Sequence, residues 1–122
     1  MMWPKHYILD DDGEPVAVTD IMVWGKWFER ASRDRSRVLK QDFVEEDAPA
    51  DVSIPGVVGV STVFLGLDHN WSLTGPPVLW ESLVSGTSLD GEMQRYTSRG
   101  AALAGHEVLL ARVRAAYEKE RR

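Results

Sequence analysis

The chain has 122 residues, a formal net charge of -5, 43% hydrophobic residues and no cysteine. That length predicts one domain over 1–122, the apolar content excludes wholesale disorder, and the missing cysteines exclude disulfides, thiolate catalysis and cysteine zinc sites. The acidic balance gives no long-range attraction to a DNA or RNA polymer or to an anionic membrane.

Pro4 and Lys5 interrupt the N-terminus, so no signal-peptide core is expected there. Residues 6–18 read as a β-hairpin: the apolar run His6-Tyr7-Ile8-Leu9, the turn Asp10-Asp11-Asp12-Gly13, and the return Pro15-Val16-Ala17-Val18. The three aspartates read as a solvated turn, because no glutamate stands at the spacing of an EF-hand. Thr19 or Asp20 caps a helix to about Ser32, with Ile21, Trp24, Phe28 and Ala31 on one apolar face that Trp27 widens.

Arg30, Arg33, Arg35, Arg37 and Lys40 form the basic cluster of the chain, and residues 37–44 read as a strand. An acidic loop follows at 45–51. The apolar stretch 57–67 predicts a central strand covered on both sides. The apolar run 52–67 is broken by Ser, Pro, Gly and Thr and is too short to span a bilayer, so a soluble cytoplasmic protein is expected. Trp71 to Pro77 reads as a loop. In the strand 78–84, alternation puts Val78, Trp80, Ser82 and Val84 on one face and Leu79, Glu81 and Leu83 on the other. A shorter strand occupies 91–96. Thr97 or Ser98 opens the last helix, to about residue 119, with Leu103, His106, Leu110, Val113 and Tyr117 on one stripe. The expected fold is α+β: an antiparallel β-sheet with an N-terminal and a longer C-terminal helix packed on it.

Neither a GxGxxG run nor a P-loop is present, so a nucleotide would need a pocket of aromatic and arginine side chains. Ser61 with His69 lacks a nucleophile elbow, and His106-Glu107 lacks the second histidine of a zincin. No catalytic residue, metal ligand or cofactor is assigned. His106 on its apolar stripe reads as a hydrogen-bonded core histidine. Asp68-His69-Asn70 reads either as a turn held by Asp68 and Asn70 or as a place where His69 and Asn70 touch a ligand. Glu81, inside an apolar strand, needs a partner, and Arg95 is the natural one. Arg95 and Arg99 straddle the start of the last helix, where they can meet a phosphate or form an ordinary ion pair. Trp71 and Trp80 can stack on a purine or serve a core or subunit interface. The candidate ligand-binding set is Arg37, His69, Asn70, Trp71, Trp80, Arg95 and Arg99.

Four segments together carry a resemblance: Val60-Ser61-Thr62-Val63-Phe64-Leu65-Gly66-Leu67-Asp68-His69, Gly75-Pro76-Pro77-Val78-Leu79-Trp80-Glu81, Asp90-Gly91-Glu92-Met93-Gln94-Arg95-Tyr96 and Ala104-Gly105-His106. Over roughly residues 3–115 the chain resembles small phage proteins of the first anti-Thoeris type. That resemblance implies a sponge that sequesters, without cleaving, cyclic ADP-ribose-type signals of bacterial Thoeris defence. In some members it also implies binding of cyclic oligonucleotides. It further implies a homo-oligomer, dimer or hexamer, in the cytoplasm of the bacterial host, with aromatic residues stacking on bases and arginines holding phosphates. Two other readings stand beside it. One is a phage structural or protein-interaction protein without a small ligand. The other is a small enzyme acting on a cyclic or phosphorylated nucleotide, with His69 or His106 as its acid-base group.

Overall fold

The structure, a computed structural model, describes residues 5–44, 56–72 and 74–121. The acidic loop expected at 45–51 lies outside them. The fold is a small α+β domain with two antiparallel sheets and two helices.

β1 (Tyr7–Leu9) and β2 (Pro15–Ala17) form the expected hairpin, with Tyr7 opposite Ala17. Its turn is built by Asp10, whose Oδ1 accepts from the backbone N–H of Asp12 at 2.9 Å and of Glu14 at 3.0 Å. Such a short aspartate side chain bonding its own turn is the ordinary use of the residue here. α1 (Ile21–Arg33) follows, and Asp20 is the cap, accepting from the N–H groups of Met22 and Val23. The expected apolar face is correct in its inner part, since Ala31 is buried and Trp24 and Phe28 are half-buried. Ile21 departs from it and is 59% exposed. Met22 and Val23 beside it are exposed as well, so the whole first turn of α1 stands clear of the core.

β3 (Val38–Phe43), β4 (Gly59–Phe64), β5 (Trp80–Ser85) and β6 (Met93–Tyr96) make a four-stranded antiparallel sheet in chain order. α2 (Arg99–Glu120) starts at the cap Ser98, whose side chain accepts from the N–H of Ala101, and packs across all four strands. β4 is central, as expected, but it is shorter than 57–67 and is not sealed on both sides. Val60, Thr62 and Phe64 are buried under α2, whereas Ser61 and Val63 are half-buried on the opposite face. Antiparallel sheets tolerate such one-sided cover.

The core has two centres. One joins Val58, Val60 and Val84 to Leu109, Leu110 and Val113 of α2. The other, at the opposite end of the strands, joins Phe64, Leu79 and Trp80 to Tyr7 and Ala102, with Leu9, Trp27, Leu39 and Tyr96 packed around it. Here α1 and the hairpin close the sheet. Trp24 donates from Nε1 to the Gly66 carbonyl at 2.9 Å, and the Tyr7 N–H bonds the same carbonyl. Gly66 has φ of +75° and leaves room for the Phe28 ring. No helix among the described residues is long and apolar enough to cross a membrane.

α2 can lie this close because of Gly105, where an added Cβ would fall 2.3 Å from the Tyr96 ring and hydroxyl. Gly105→Ala is therefore expected to push Tyr96 off the helix, despite the better helix propensity of alanine. Overpacking of this kind costs about 1–3 kcal/mol. Urea unfolding measures it, and a variant as stable as the parent would show that Tyr96 moves freely.

Candidate functional site

Two polar constellations stand out, and they differ in their access to solvent. The first is inside. His106 of α2 is fully buried, with Nε2 2.8 Å from Asp42 Oδ2 and Nδ1 2.6 Å from Thr62 Oγ1. Thr62 Oγ1 lies 2.6 Å from Ser82 Oγ, to which the Tyr96 hydroxyl donates at 3.0 Å. Each strand of the large sheet supplies one member: Asp42 from β3, Thr62 from β4, Ser82 from β5 and Tyr96 from β6. The chain thus runs from the Tyr96 hydroxyl through Ser82 and Thr62 to Nδ1 of His106, and from Nε2 to the Asp42 carboxylate.

Carboxylate, imidazole and hydroxyl stand in the order of a hydrolase triad. Thr62 is nonetheless 0% exposed, so no substrate carbonyl reaches its oxygen. Asp42, His106 and Glu107 also place one ligand atom each within 4.8 Å of one another, a potential metal-binding cluster. Both nitrogens of His106 are engaged, and Glu107 forms an ion pair with Lys40. The bond to Glu107 and the Glu107 and Asp42 charges hold the Lys40 ammonium above its ordinary pKa. The network reads as the expected hydrogen-bonded core histidine.

The second constellation is a surface cleft. The hairpin turn, the α1–β3 connection and the first residue of α2 enclose a cavity of about 200 Å³, lined by Leu9, Gly13, Ser36, Arg37, Leu39, Trp80 and Arg99 among others. Leu9, Gly13 and Ser36 also line an adjoining cavity of about 270 Å³, whose other walls are Asp10, Asp11 and Trp27. Each is smaller than the usual range for a ligand pocket, which begins near ~300 Å³.

Arg37 is held rigidly. Its Nε donates to the Phe64 carbonyl at 3.0 Å, a terminal nitrogen donates to Ser32 Oγ at 3.0 Å, and the guanidinium sits 4.1 Å from the Phe28 ring centroid. Burial pulls its pKa below the ordinary arginine value, and a guanidinium so perturbed still carries its charge at neutral pH. Arg99 reaches from the start of α2 toward the turn, its Nε 3.6 Å from where a Gly13 Cβ would stand. Among the described residues neither arginine has a carboxylate within ion-pair distance. Trp80 is 1% exposed and packs 5.0 Å from Phe64, centroid to centroid. It forms part of the cavity wall from within the core and offers no open face for stacking. Its Nε1 is the one buried side-chain polar atom among the described residues without a hydrogen-bond partner, a state that costs about 1–3 kcal/mol.

Of the seven candidate residues, the fold thus brings Arg37, Trp80 and Arg99 to one cavity. Arg95 is elsewhere: it shares the other sheet face with Glu81, and its Nε bonds Glu81 Oε2 at 3.1 Å, the pairing expected for Glu81. His69, Asn70 and Trp71 form a separate loop. Asp68, only 3% exposed, accepts from the N–H groups of Asn70 at 2.7 Å and Val78 at 2.9 Å. Asn70 donates to the Thr74 and Pro76 carbonyls. His69 donates from Nδ1 to the Leu67 carbonyl at 2.7 Å. Those groups are occupied in making a turn, while Trp71 is 74% exposed beside His69. The cleft residues that sequence reasoning missed are Asp10, Asp11, Trp27 and Ser36. The triple aspartate was visible as a turn, but nothing local shows that this turn faces two arginines.

The chain matches no protein-family model, no curated protein and no solved structure.

The internal network carries its own test. His106→Leu removes the imidazole partner of the buried Thr62 hydroxyl and should lower stability by about 1–3 kcal/mol. Adding Thr62→Val removes the orphaned group and should recover part of the loss. Denaturant midpoints that are equal for the single and double variants would show that Thr62 finds another partner.

Proposed function

We propose that this protein sequesters a cyclic ADP-ribose-type signalling nucleotide, without cleaving it, and so blocks bacterial Thoeris defence in the host cytoplasm. The observation that carries the reading is the meeting of Arg37 and Arg99 in one cavity, neither with a carboxylate partner among the described residues. Two guanidiniums in such a place suit a pyrophosphate, through charge-assisted and bidentate hydrogen bonds. The adjoining cavity supplies Asp10 and Asp11 as acceptors for ribose hydroxyls and Trp27 as an apolar wall for a base.

The role in this reading is binding, as sequestration without cleavage requires. Ser36 is the hydroxyl there, and both cleft-facing acids are aspartates of the hairpin turn. A homo-oligomer, dimer or hexamer, belongs to the reading, since cavities this small leave much of a nucleotide uncovered and a second copy can close over it. Cyclic oligonucleotides share the phosphate chemistry and form the second ligand class to try. The reading of a protein-interaction module without a small ligand draws on a different surface, where Ile21, Met22 and Val23 are 59%, 67% and 50% exposed at the start of α1.

Calorimetric titration with cyclic ADP-ribose isomers, followed by chromatography of the ligand released on heating, tests the proposal. Tight binding with intact ligand recovered is expected. Arg99→Gln should weaken it about 10- to 100-fold, as loss of a charged hydrogen bond does. Arg95→Gln, on the other sheet face, should leave affinity unchanged. Absence of binding by every isomer would end the cyclic ADP-ribose reading, and recovery of altered ligand would make the protein an enzyme.

A further inference from the structure

We propose that β6 pairs with β6 of a second copy of this chain, antiparallel, with Met93 opposite the partner's Arg95. The contact gives the homo-oligomer of the reading above a surface, and it needs no nucleotide. β6 is the last strand of the large sheet, and among the described residues no strand pairs with its outer side. β5 bonds it through alternate residues: the Val84 N–H donates to the Glu92 carbonyl, and Ser82 stands opposite Gln94 two residues on. Met93 and Arg95 therefore turn their own N–H and C=O groups away from β5. Met93, Gln94 and Arg95 are all exposed. Exposed edges are ordinarily blunted. β2 begins with Pro15, and β3 has its register broken between Val38 and Lys40. β6 contains no proline, glycine or bulge. Its one charge, Arg95, is already paired with Glu81 of β5 and so does little to repel an incoming strand.

A second copy fits this edge because the strand is complementary to itself. Asp90 and Glu92 precede it, while Arg95 and Arg99 stand near and beyond its end. Antiparallel pairing sets the acidic end of one strand against the basic end of the other, and parallel pairing would set like charges side by side. In the proposed register Met93 exchanges both backbone bonds with the partner's Arg95, and Arg95 does the same with the partner's Met93. Gln94 then meets Gln94 of the partner subunit on the two-fold axis, where two primary amides can bond each other. A shift of two residues one way would put Arg95 opposite the partner's Arg95, a like-charge pair. The opposite shift would put it opposite the partner's Gly91, whose φ of +84° does not continue a strand. The pairing uses the same edge of both copies, so it closes at two.

Sedimentation of the protein without ligand, over a concentration series, is expected to show a monomer–dimer equilibrium. Amide hydrogen exchange should show Met93 and Arg95 gaining protection as concentration rises, with Gln94 protected throughout by its bonds to β5. Met93→Pro removes a donor from the dimer contact and none from β5. It should raise the dimer Kd about 10- to 100-fold, as loss of one hydrogen bond per copy does. Met93→Lys sets a like charge opposite the partner's Arg95 and should raise Kd about 2- to 30-fold, whereas Met93→Glu should lower it. If Met93→Pro fails to fold, these two charge variants at an exposed position decide the matter. A monomer at every concentration overturns the proposal, and so does a dimer whose Met93 and Arg95 amides exchange freely. Equal Kd values for the lysine and glutamate variants overturn the register. Calorimetry with cyclic ADP-ribose isomers separates this contact from the nucleotide reading. A monomer that binds an isomer keeps that reading and overturns the β6 pairing. A dimer with protected Met93 and Arg95 amides that binds no isomer upholds the pairing and ends the nucleotide reading.

Discussion

The structure depends on putting a histidine under the helix that crosses all four strands. An imidazole buried at 0% exposure needs a partner for each nitrogen. The sheet meets that need with Asp42 on one side and Thr62 on the other, and then with Ser82 and Tyr96 behind Thr62. This sets more than a contact. A slip of one residue between any two strands would turn a hydroxyl to the open face and leave its neighbour without a partner. The apolar residues beside the network, Val60 and Val84, would accept several packings against Leu109 and Val113. The polar chain accepts one. Fully satisfied buried networks specify a unique arrangement in this way, and half-satisfied ones are worse than an apolar core.

Because α2 is committed to that crossing, its first residue is fixed at the far end of the strands. There the large sheet is closed by the hairpin and α1, which meet it through the Gly66 turn. Three pieces from remote parts of the chain do not close the seam completely, and the cleft is what remains. Its chemistry follows from how each piece is anchored. Arg37 enters β3 beneath the Phe28 ring and is tied to the Phe64 carbonyl, so its charge is immobile and partly desolvated. Arg99 leaves the helix start with no such ties recorded among the described residues. One fixed and one adaptable guanidinium is a sound arrangement for an anion: the first sets the position, and the second adjusts to it at a cost in side-chain entropy.

Much of the fold was legible because its signals are local. Asp20 and Ser98 announce the two helices by capping, Asp10 to Gly13 announce the hairpin turn, and alternation orders the faces of β5. Glu81 could be paired with Arg95 from sequence because an apolar strand makes a lone carboxylate conspicuous. His106 could be placed in the core by its helical stripe. Its partners could not, since Thr62 and Ser82 are ordinary in strands and nothing local says that they face one helix at one level. Ile21 was misplaced for a related reason: periodicity gives the face of a helix but not where the surface beneath it ends. The cleft was hardest to see. Arg37, Trp80 and Arg99 could each be nominated by chemistry, but Gly13 and Ser36, which help bring them together, carry no chemical signal.

The two constellations also divide the molecule's polar chemistry in a way that bears on mechanism. The hydrogen-bonded chain from Tyr96 through Ser82, Thr62 and His106 to Asp42 is locked between sheet and helix, its members satisfied by one another. The cleft has the reverse character. Its two guanidiniums are hydrogen-bond donors, and the Asp10 and Asp11 carboxylates of the adjoining cavity are acceptors. In the proposed reading, the arginines hold an oxyanion and the aspartates accept hydroxyl groups beside it. In that reading, affinity is gained from Arg37, whose guanidinium is in place before the ligand arrives, and the same rigidity slows release. One anchored and one adaptable guanidinium then suit the retention of a phosphorylated molecule, which is the role proposed for the cleft.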